Sequence, residues 1–471
     1  MENTYKLRCR VRLRALLVCL AMAVGVTFMT FSEVQAQGFG IYEQSTCITG
    51  RGGTAVANPC ADGSAIYFNP SGLAGTTGWT FSGGVTNIIQ DGDFTFDDTR
   101  ETTDIDSPVS VVPHFYAMYG ATERLGVGVG AYVPFGLNTR WPAEFQGAFS
   151  GFDNNLQSIY IQPTVGYQLT DRVSVGGGLI IAVSTVELNQ RLDLAEQTVE
   201  GGISFAQLGI PPGTPFGEAR LDADPSVGIG GNFGVQVQVT DRLNFGTRFT
   251  TPISIDYDGE ATFQQVATGI TLPADNPLGA PAGTPLDAIL QQSFTEGPLI
   301  TQDLETEITM PAQLVAGLSF QATERLNLMF DYQWTGWSTL EGVVLDFAND
   351  DLDSEIVLNY NNSHGFRTGA EFEVDDIWTL RAGYIYNTAA SPDETVTPLA
   401  PEADRNRFTV GLGVKPITGV ELNLGYHFVN QNDRRGRTRG PAPGQEITTD
   451  LNDGLYSLNA HIVGTTLTVR L

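Results

Sequence analysis

Leu326-Asn327-Leu328-Met329-Phe330-Asp331-Tyr332-Gln333-Trp334 is the stretch whose reading decides the fold. Successive side chains of an extended strand point to opposite faces. Leu326, Leu328, Phe330, Tyr332 and Trp334 therefore share one face, and Asn327, Met329, Asp331 and Gln333 share the other. Trp378, Leu380, Ala382, Tyr384 and Tyr386 stand against Thr379, Arg381, Gly383 and Asn387 in the same way. So do Val420, Leu422, Leu424, Tyr426 and Phe428 against Glu421, Asn423, Gly425 and His427. One face of each strand can sit in lipid and the other cannot.

Outward from these strands, very short polar turns alternate with long loops. Ala121-Thr122-Glu123-Arg124 recurs as Ala322-Thr323-Glu324-Arg325, and Thr170-Asp171-Arg172 recurs as Thr240-Asp241-Arg242. Val374-Asp375-Asp376 and Pro416-Ile417-Thr418-Gly419 complete the set, all with hairpin chemistry. A soluble β-sandwich has the same period of two. Three features favour a membrane: strands that exceed the about 9–11 residues of a tilted crossing, aromatics at strand ends, and the strict short-turn/long-loop asymmetry. Six short turns and seven long loops count out fourteen strands. Lipid tolerates no open sheet edge, so the sheet closes. The expected fold is all-β: a 14-stranded antiparallel transmembrane β-barrel over residues 77–471, with residues 37–76 as a plug in its lumen.

Residues 1–36 read as a signal peptide, with Lys6, Arg8, Arg10, Arg12 and Arg14 ahead of the apolar run Ala15 to Phe31 and a small-residue cleavage site at Val34-Gln35-Ala36. They carry five of the 25 basic and two of the 53 acidic residues, leaving 20 against 51 and a net charge of −31. Such acidity excludes nucleic acid as a partner, because phosphate binding needs a basic face. Cys47 and Cys60 remain after cleavage, and in an oxidising compartment the pair reads as a disulfide or as two free thiols.

Four segments carry a family resemblance. Gly38-Phe39-Gly40-Ile41-Tyr42-Glu43-Gln44 and Asp62–Leu73, with Asn69-Pro70-Ser71 in place of Asn-Pro-Ala, resemble the N-terminal hatch of FadL-type long-chain fatty acid transporters. Gly126–Leu137 resembles that family's third strand, and Met310-Pro311-Ala312 with Asp331–Ser338 its eighth and ninth. Trp378–Tyr384, Pro392-Asp393-Glu394 and Pro401–Arg405 resemble its eleventh strand and the loop that follows. The resemblance implies a hatch that blocks the barrel, capture of substrate among long loops, and sideways exit at the third strand. Inward Gly126, Gly128 and Gly130 are then the expected lateral gate, since glycine weakens pairing; hatch packing is the other reading. The run Ala182–Leu188, aligned with the family's basic pocket residue, contains no Arg or Lys.

Candidate substrate contacts fall in two groups. Ile203, Phe205 and Leu208 in one long loop, and Ile289, Leu290 and Phe294 on a short amphipathic helix in another, are apolar where water favours polar residues. Arg248, Arg367, Arg381 and Arg407 face inward by strand phase, and each can hold a carboxylate or pair with an acidic residue of the lumen. His114, His364, His427 and His461 lack metal-ligand spacing, and no Gly-x-Ser-x-Gly elbow occurs. The expected protein is therefore a monomeric, non-enzymatic carrier of long-chain fatty acids or similar hydrophobic molecules, seated in outer-membrane lipid without metal or cofactor. The alternative is a diffusion porin for polar solutes.

Overall fold

The computed structural model describes residues 38–471 apart from 200–201, 275, 277 and 442–444; the expected signal peptide lies outside the described residues. Fourteen strands form the wall. They are β1 (Gly78–Phe96), β2 (Ser110–Gly120), β3 (Leu125–Arg140), β4 (Asp153–Thr170), β5 (Val173–Asp193), β6 (Ser226–Thr240) and β7 (Leu243–Thr250), followed by β8 (Gln313–Gln321), β9 (Leu326–Thr335), β10 (Ser363–Glu373), β11 (Trp378–Asn387), β12 (Arg405–Ile417), β13 (Val420–Gln431) and β14 (Gly454–Arg470). Each pairs antiparallel with its neighbours, and β1 meets β14 from Thr80↔Arg470 to Phe96↔Gly454, which closes the barrel.

In five of the six short turns one hydroxyl or carboxylate ties the chain. Thr122 Oγ1 accepts from the Leu125 N–H, Thr240 Oγ1 from Leu243, and Thr323 Oγ1 from Leu326, each at 3.0 Å. Asp375 Oδ1 does the same for Ile377 and Trp378 at 2.8 Å. The faces follow the alternation: Leu328 and Phe330 are exposed on the outside, while Met329, Asp331 and Gln333 are buried within. β1 runs on past the apolar band, since its ladder with β14 continues through polar Asp91-Gly92-Asp93.

The wall is not uniform. β7 stops at Thr251-Pro252 and β8 begins after Pro311-Ala312. Proline has no N–H for the ladder, so the chain bends at such points. Beyond them, Ile253–Gln265 pairs with Gln302–Met310 and with Pro215–Ala223, forming a sheet at the long-loop end.

Residues 38–74 are almost wholly buried against inward wall side chains. The helix Thr46–Gly50 is capped by the Ser45 side chain, which accepts from Ile48 N, and the turn Pro70–Leu73 by Asn69, which accepts from Ser71 N. Cys47 is bonded to Cys60, closing the loop that holds the first helix.

Candidate functional site: an apolar cavity above the N-terminal segment

At the long-loop end of the lumen lies a cavity of about 100 Å³ whose walls include Leu156, Leu188, Leu221, Ile308 and Leu358, with Phe39 as floor. Phe39 is set by aromatic edges, 4.7 Å from the Trp337 ring and 6.2 Å from Phe135. It is fixed from behind by the Gly38 N–H, which donates to Glu402 Oε1 at 2.6 Å. Gly38 has φ +61, and a Cβ there would collide with the Trp337 ring, so only glycine lets Phe39 reach its place. The one ionisable lining group besides Tyr360 is Glu187, which pairs with Arg220 at 3.1 Å. Among the described residues, no Arg or Lys lines the cavity. A cavity of about 150 Å³ lined by Leu, Ile and Phe takes up benzene, so a predominantly apolar space of this size suits a small apolar molecule.

The apolar lining runs on toward the loops. Leu188, Leu221, Leu304 and Leu345 pack with Phe263 and Leu352, which also touch the cluster of Phe205, Phe216, Leu286, Leu290 and Leu299. Within that cluster Leu208 and Phe294 are half-buried. The structure thus brings Phe205, Leu208, Leu290 and Phe294 together and leaves Ile203 and Ile289 exposed at its edge. The helix Leu286–Thr295 starts where Asp287 accepts from the Thr268 N–H and hydroxyl, at 2.9 and 2.7 Å.

The four inward arginines lie elsewhere, all engaged by the N-terminal segment or the wall. Arg248 donates to the Tyr67 carbonyl at 3.1 Å, and Arg367 lies 4.2 Å over the Tyr42 ring. Arg381 pairs with Glu371 at 2.6 Å, and Arg407 with Glu43 at 3.1 Å. Of the two readings open for these residues, the structure displays pairing with lumen groups and puts none of them at the cavity. Burial alone would raise the Glu43 carboxyl, but the His427 ring 3.5 Å away and the Arg407 charge outweigh it and hold it at about 2.

The three glycines of β3 require a correction. Pairing is continuous through them on both sides, Gly126↔Gly120, Gly128↔Met118 and Gly130↔Tyr116 toward β2, and Gly126↔Gly166 toward β4. They leave room for the N-terminal segment instead: a Cβ on Gly126 would overlap the Leu73 carbonyl, and Gly128 and Gly130 lie against Ile66. Sequence reading missed that inward Gly166, Gly176, Gly234, Gly246 and Gly369 do the same around the wall; an inward glycine recurring from strand to strand was the available signal. Asn69, of the Asn69-Pro70-Ser71 motif, packs on Gly234 and donates to the Val56 carbonyl at 2.6 Å.

The break in β3 comes later. Its pairing with β2 ends at Phe115↔Ala131, and a bulge at Val133-Pro134 carries the chain inward. There it bonds the N-terminal segment, with Ile41 N donating to Pro134 O and Gly136 N to Phe39 O, each at 2.8 Å. Ser110 to His114 of β2 face this gap, and Ile41 fills it between Val112 and Val133. Gly126→Val should therefore push the Pro70–Leu73 turn out of place rather than straighten β3, lowering stability by about 1–3 kcal/mol as overpacking does. Gly83→Ala is the control, since its Cβ meets only Phe115 at 3.6 Å. Heat-modifiable gel migration should shift to lower temperature for the first variant alone; an equal result for both would contradict this packing.

Known proteins resemble this arrangement along its length. The family described as outer membrane protein transport protein (OMPP1/FadL/TodX) matches residues 27–470. The long-chain fatty acid transport protein of Escherichia coli is 23% identical, covering 87% of this chain and 90% of its own. Outer membrane protein P1 of Haemophilus influenzae is also 23% identical, over 75% and 73%. A FadL homologue from Pseudomonas aeruginosa shares the fold with a TM-score of 0.77 at 18% identity, covering 92% of this chain and 99% of its own. The toluene transporter TodX of Pseudomonas putida gives 0.67 at 18%, covering 93% and 100%. With a closed fourteen-stranded wall and a match over nearly its whole length, the chain belongs to the OMPP1/FadL/TodX family of outer-membrane transport proteins.

Proposed function

We propose that the protein is a passive outer-membrane channel for uncharged hydrophobic molecules. They enter at the apolar loop cluster, rest in the cavity over Phe39, and leave sideways between β2 and β3 when Ile41 withdraws. Residues 38–76 act as the hatch that keeps the lumen closed to polar solutes. The observation that carries this reading is the cavity lining, which continues the apolar surface of the loops and contains no cation. A fatty carboxylate buried there would have no partner, and an unpaired buried charge is strongly unfavourable. Sideways release fits the same molecules, because each CH₂ exposed to water costs about 0.8 kcal/mol.

Uptake into liposomes bearing the purified protein tests the reading. A neutral monoaromatic should enter faster than through protein-free bilayers, and a long-chain fatty acid at neutral pH should show little protein-dependent gain. Uptake of the fatty acid alone would overturn the substrate assignment. Failure of both together with a large steady ion conductance would replace the channel reading by a porin.

A further inference from the structure

We propose that the wall contains a second lateral portal, between β6 and β7, through which the cavity exchanges neutral apolar molecules with the bilayer; this rests on the channel reading above. The register of β6 with β7 stops at Asn232↔Thr250. Cross-strand pairing resumes only at Ala223↔Gly259, where Pro215–Ala223 meets Ile253–Gln265. Between these points Ser226–Gly231 pairs with β5 alone, and Ile253–Asp258 pairs with Gln302–Met310 alone. The interval is bounded by a Gly231–Thr251 contact at 2.9 Å and by Asp224 N donating to Asp258 O at 2.8 Å. Pro225 and Pro252 stand at its ends and bring no N–H that would need a partner.

Side chains close this interval where hydrogen bonds do not. Ile253 Cγ2 and Ile255 Cγ1 lie 2.6 and 2.7 Å from where a Cβ on Gly228 would stand, and Ile253 Cγ1 lies 2.5 Å from that of Gly230. The two glycines are a seat for the two isoleucines. On the outer side Ile229 and Val227, 69% and 60% exposed, form an apolar lip on the β6 edge, while Ser254 and Asp256 face out on the other edge, so the interval opens at the border between acyl chains and headgroups. On the lumen side Ile253, Ile255 and Tyr257 share a buried cluster with Ile308, Val186 and Ala223, three residues of the cavity wall. A ladder opens only by baring backbone groups to lipid, which is strongly disfavoured. Isoleucines in a glycine seat open by a change of rotamer and break no further backbone hydrogen bond. The same design, an unpaired interval stopped by an apolar side chain, stands between β2 and β3 with Ile41.

Gly228→Cys with Ile255→Cys places the two Cβ atoms within disulfide reach and clasps the interval. The probe is N-phenyl-1-naphthylamine, a neutral apolar fluorophore, entering liposomes that carry the full-length protein. Oxidation, with the bridge verified by mass, should lower the uptake rate severalfold, and reduction should restore it. Wild-type protein under the same reductant controls for Cys47–Cys60. Ile253→Ala with Ile255→Ala should raise the rate severalfold, and this variant decides the matter should the bridge fail to form. Wild-type rates in the bridged protein, or in the alanine variant if no bridge forms, would overturn the second portal while leaving the channel intact. No uptake by the wild-type protein would overturn both.

Discussion

Deletion of residues 38–76 is expected to turn a nearly non-conducting protein into a steady ion pore in planar bilayers. The wall closes through its own ladder, from β1 back to β14, without help from these residues. What they add fills the lumen. Asp331 accepts from the Ala55 and Val56 N–H groups at 2.7 and 3.0 Å, and Gln162 and Asn232 donate to the Ile66 carbonyl. Below the segment, toward the short turns, lies a polar cavity of about 370 Å³ whose lining includes Arg51, Arg381, Glu371 and Glu421. Its lining is polar and charged, as a water-filled space requires, so on the proposed reading the segment is the barrier to ions. Without it, Arg248, Arg367 and Arg407 would stand hydrated in an open lumen, a state that charged side chains accept readily. The shortened barrel should keep heat-modifiable migration on gels. Equal conductance from the full and shortened proteins would refute the assignment of a hatch to residues 38–76.

The wall was legible because lipid imposes two simple signals. Face parity from Leu326 to Trp334 named the inward Asp331, and the recurring Ala-Thr-Glu-Arg turns separated one end from the other. Both are local properties of the chain. The breaks were less legible. Phe249 faces out, so strict alternation would put Ile253 out as well, yet Ile253 is buried. The phase flips across Thr251-Pro252, and that flip was the signal to read. The cavity was hidden for another reason. Leu156, Leu221, Ile308 and Leu358 come from four distant segments, a wall strand, two strands of the long-loop sheet and the loop before β10, which meet only in the fold. The inward arginines were correctly faced, but parity does not reveal which carboxylate lies opposite. Glu43 meets Arg407 across 364 positions of sequence.

That pair sets the second large effect. Glu43 and Arg407 are each only 1% exposed in their side chains, and Glu43 Oε2 also accepts from the Tyr42 N–H at 2.9 Å. Glu43→Ala strands a guanidinium in a dry site, and breaking a buried pair from one side costs about 3–5 kcal/mol. The cost falls on the contact between the segment and β12–β13, because the wall ladder does not pass through Glu43. Residues 38–45 should then become open to protease, and bursts of conductance should appear in protein that still migrates as a folded barrel. Replacing both partners with apolar side chains, Glu43→Leu with Arg407→Met, removes the stranded charge and should restore most of the closure, as such exchanges are often neutral. Acid separates this effect from general loosening. The folded carboxyl titrates at about 2, below its ordinary 4.5, so its contribution is whole above pH 4.5 and fades only as pH falls toward 2. Wild-type protein should therefore stay closed at pH 4 while the Glu43→Ala variant leaks at every pH. A wild type that opens between pH 6 and 5, or an alanine variant as closed as the wild type, would mean that the hatch is held by something other than this pair.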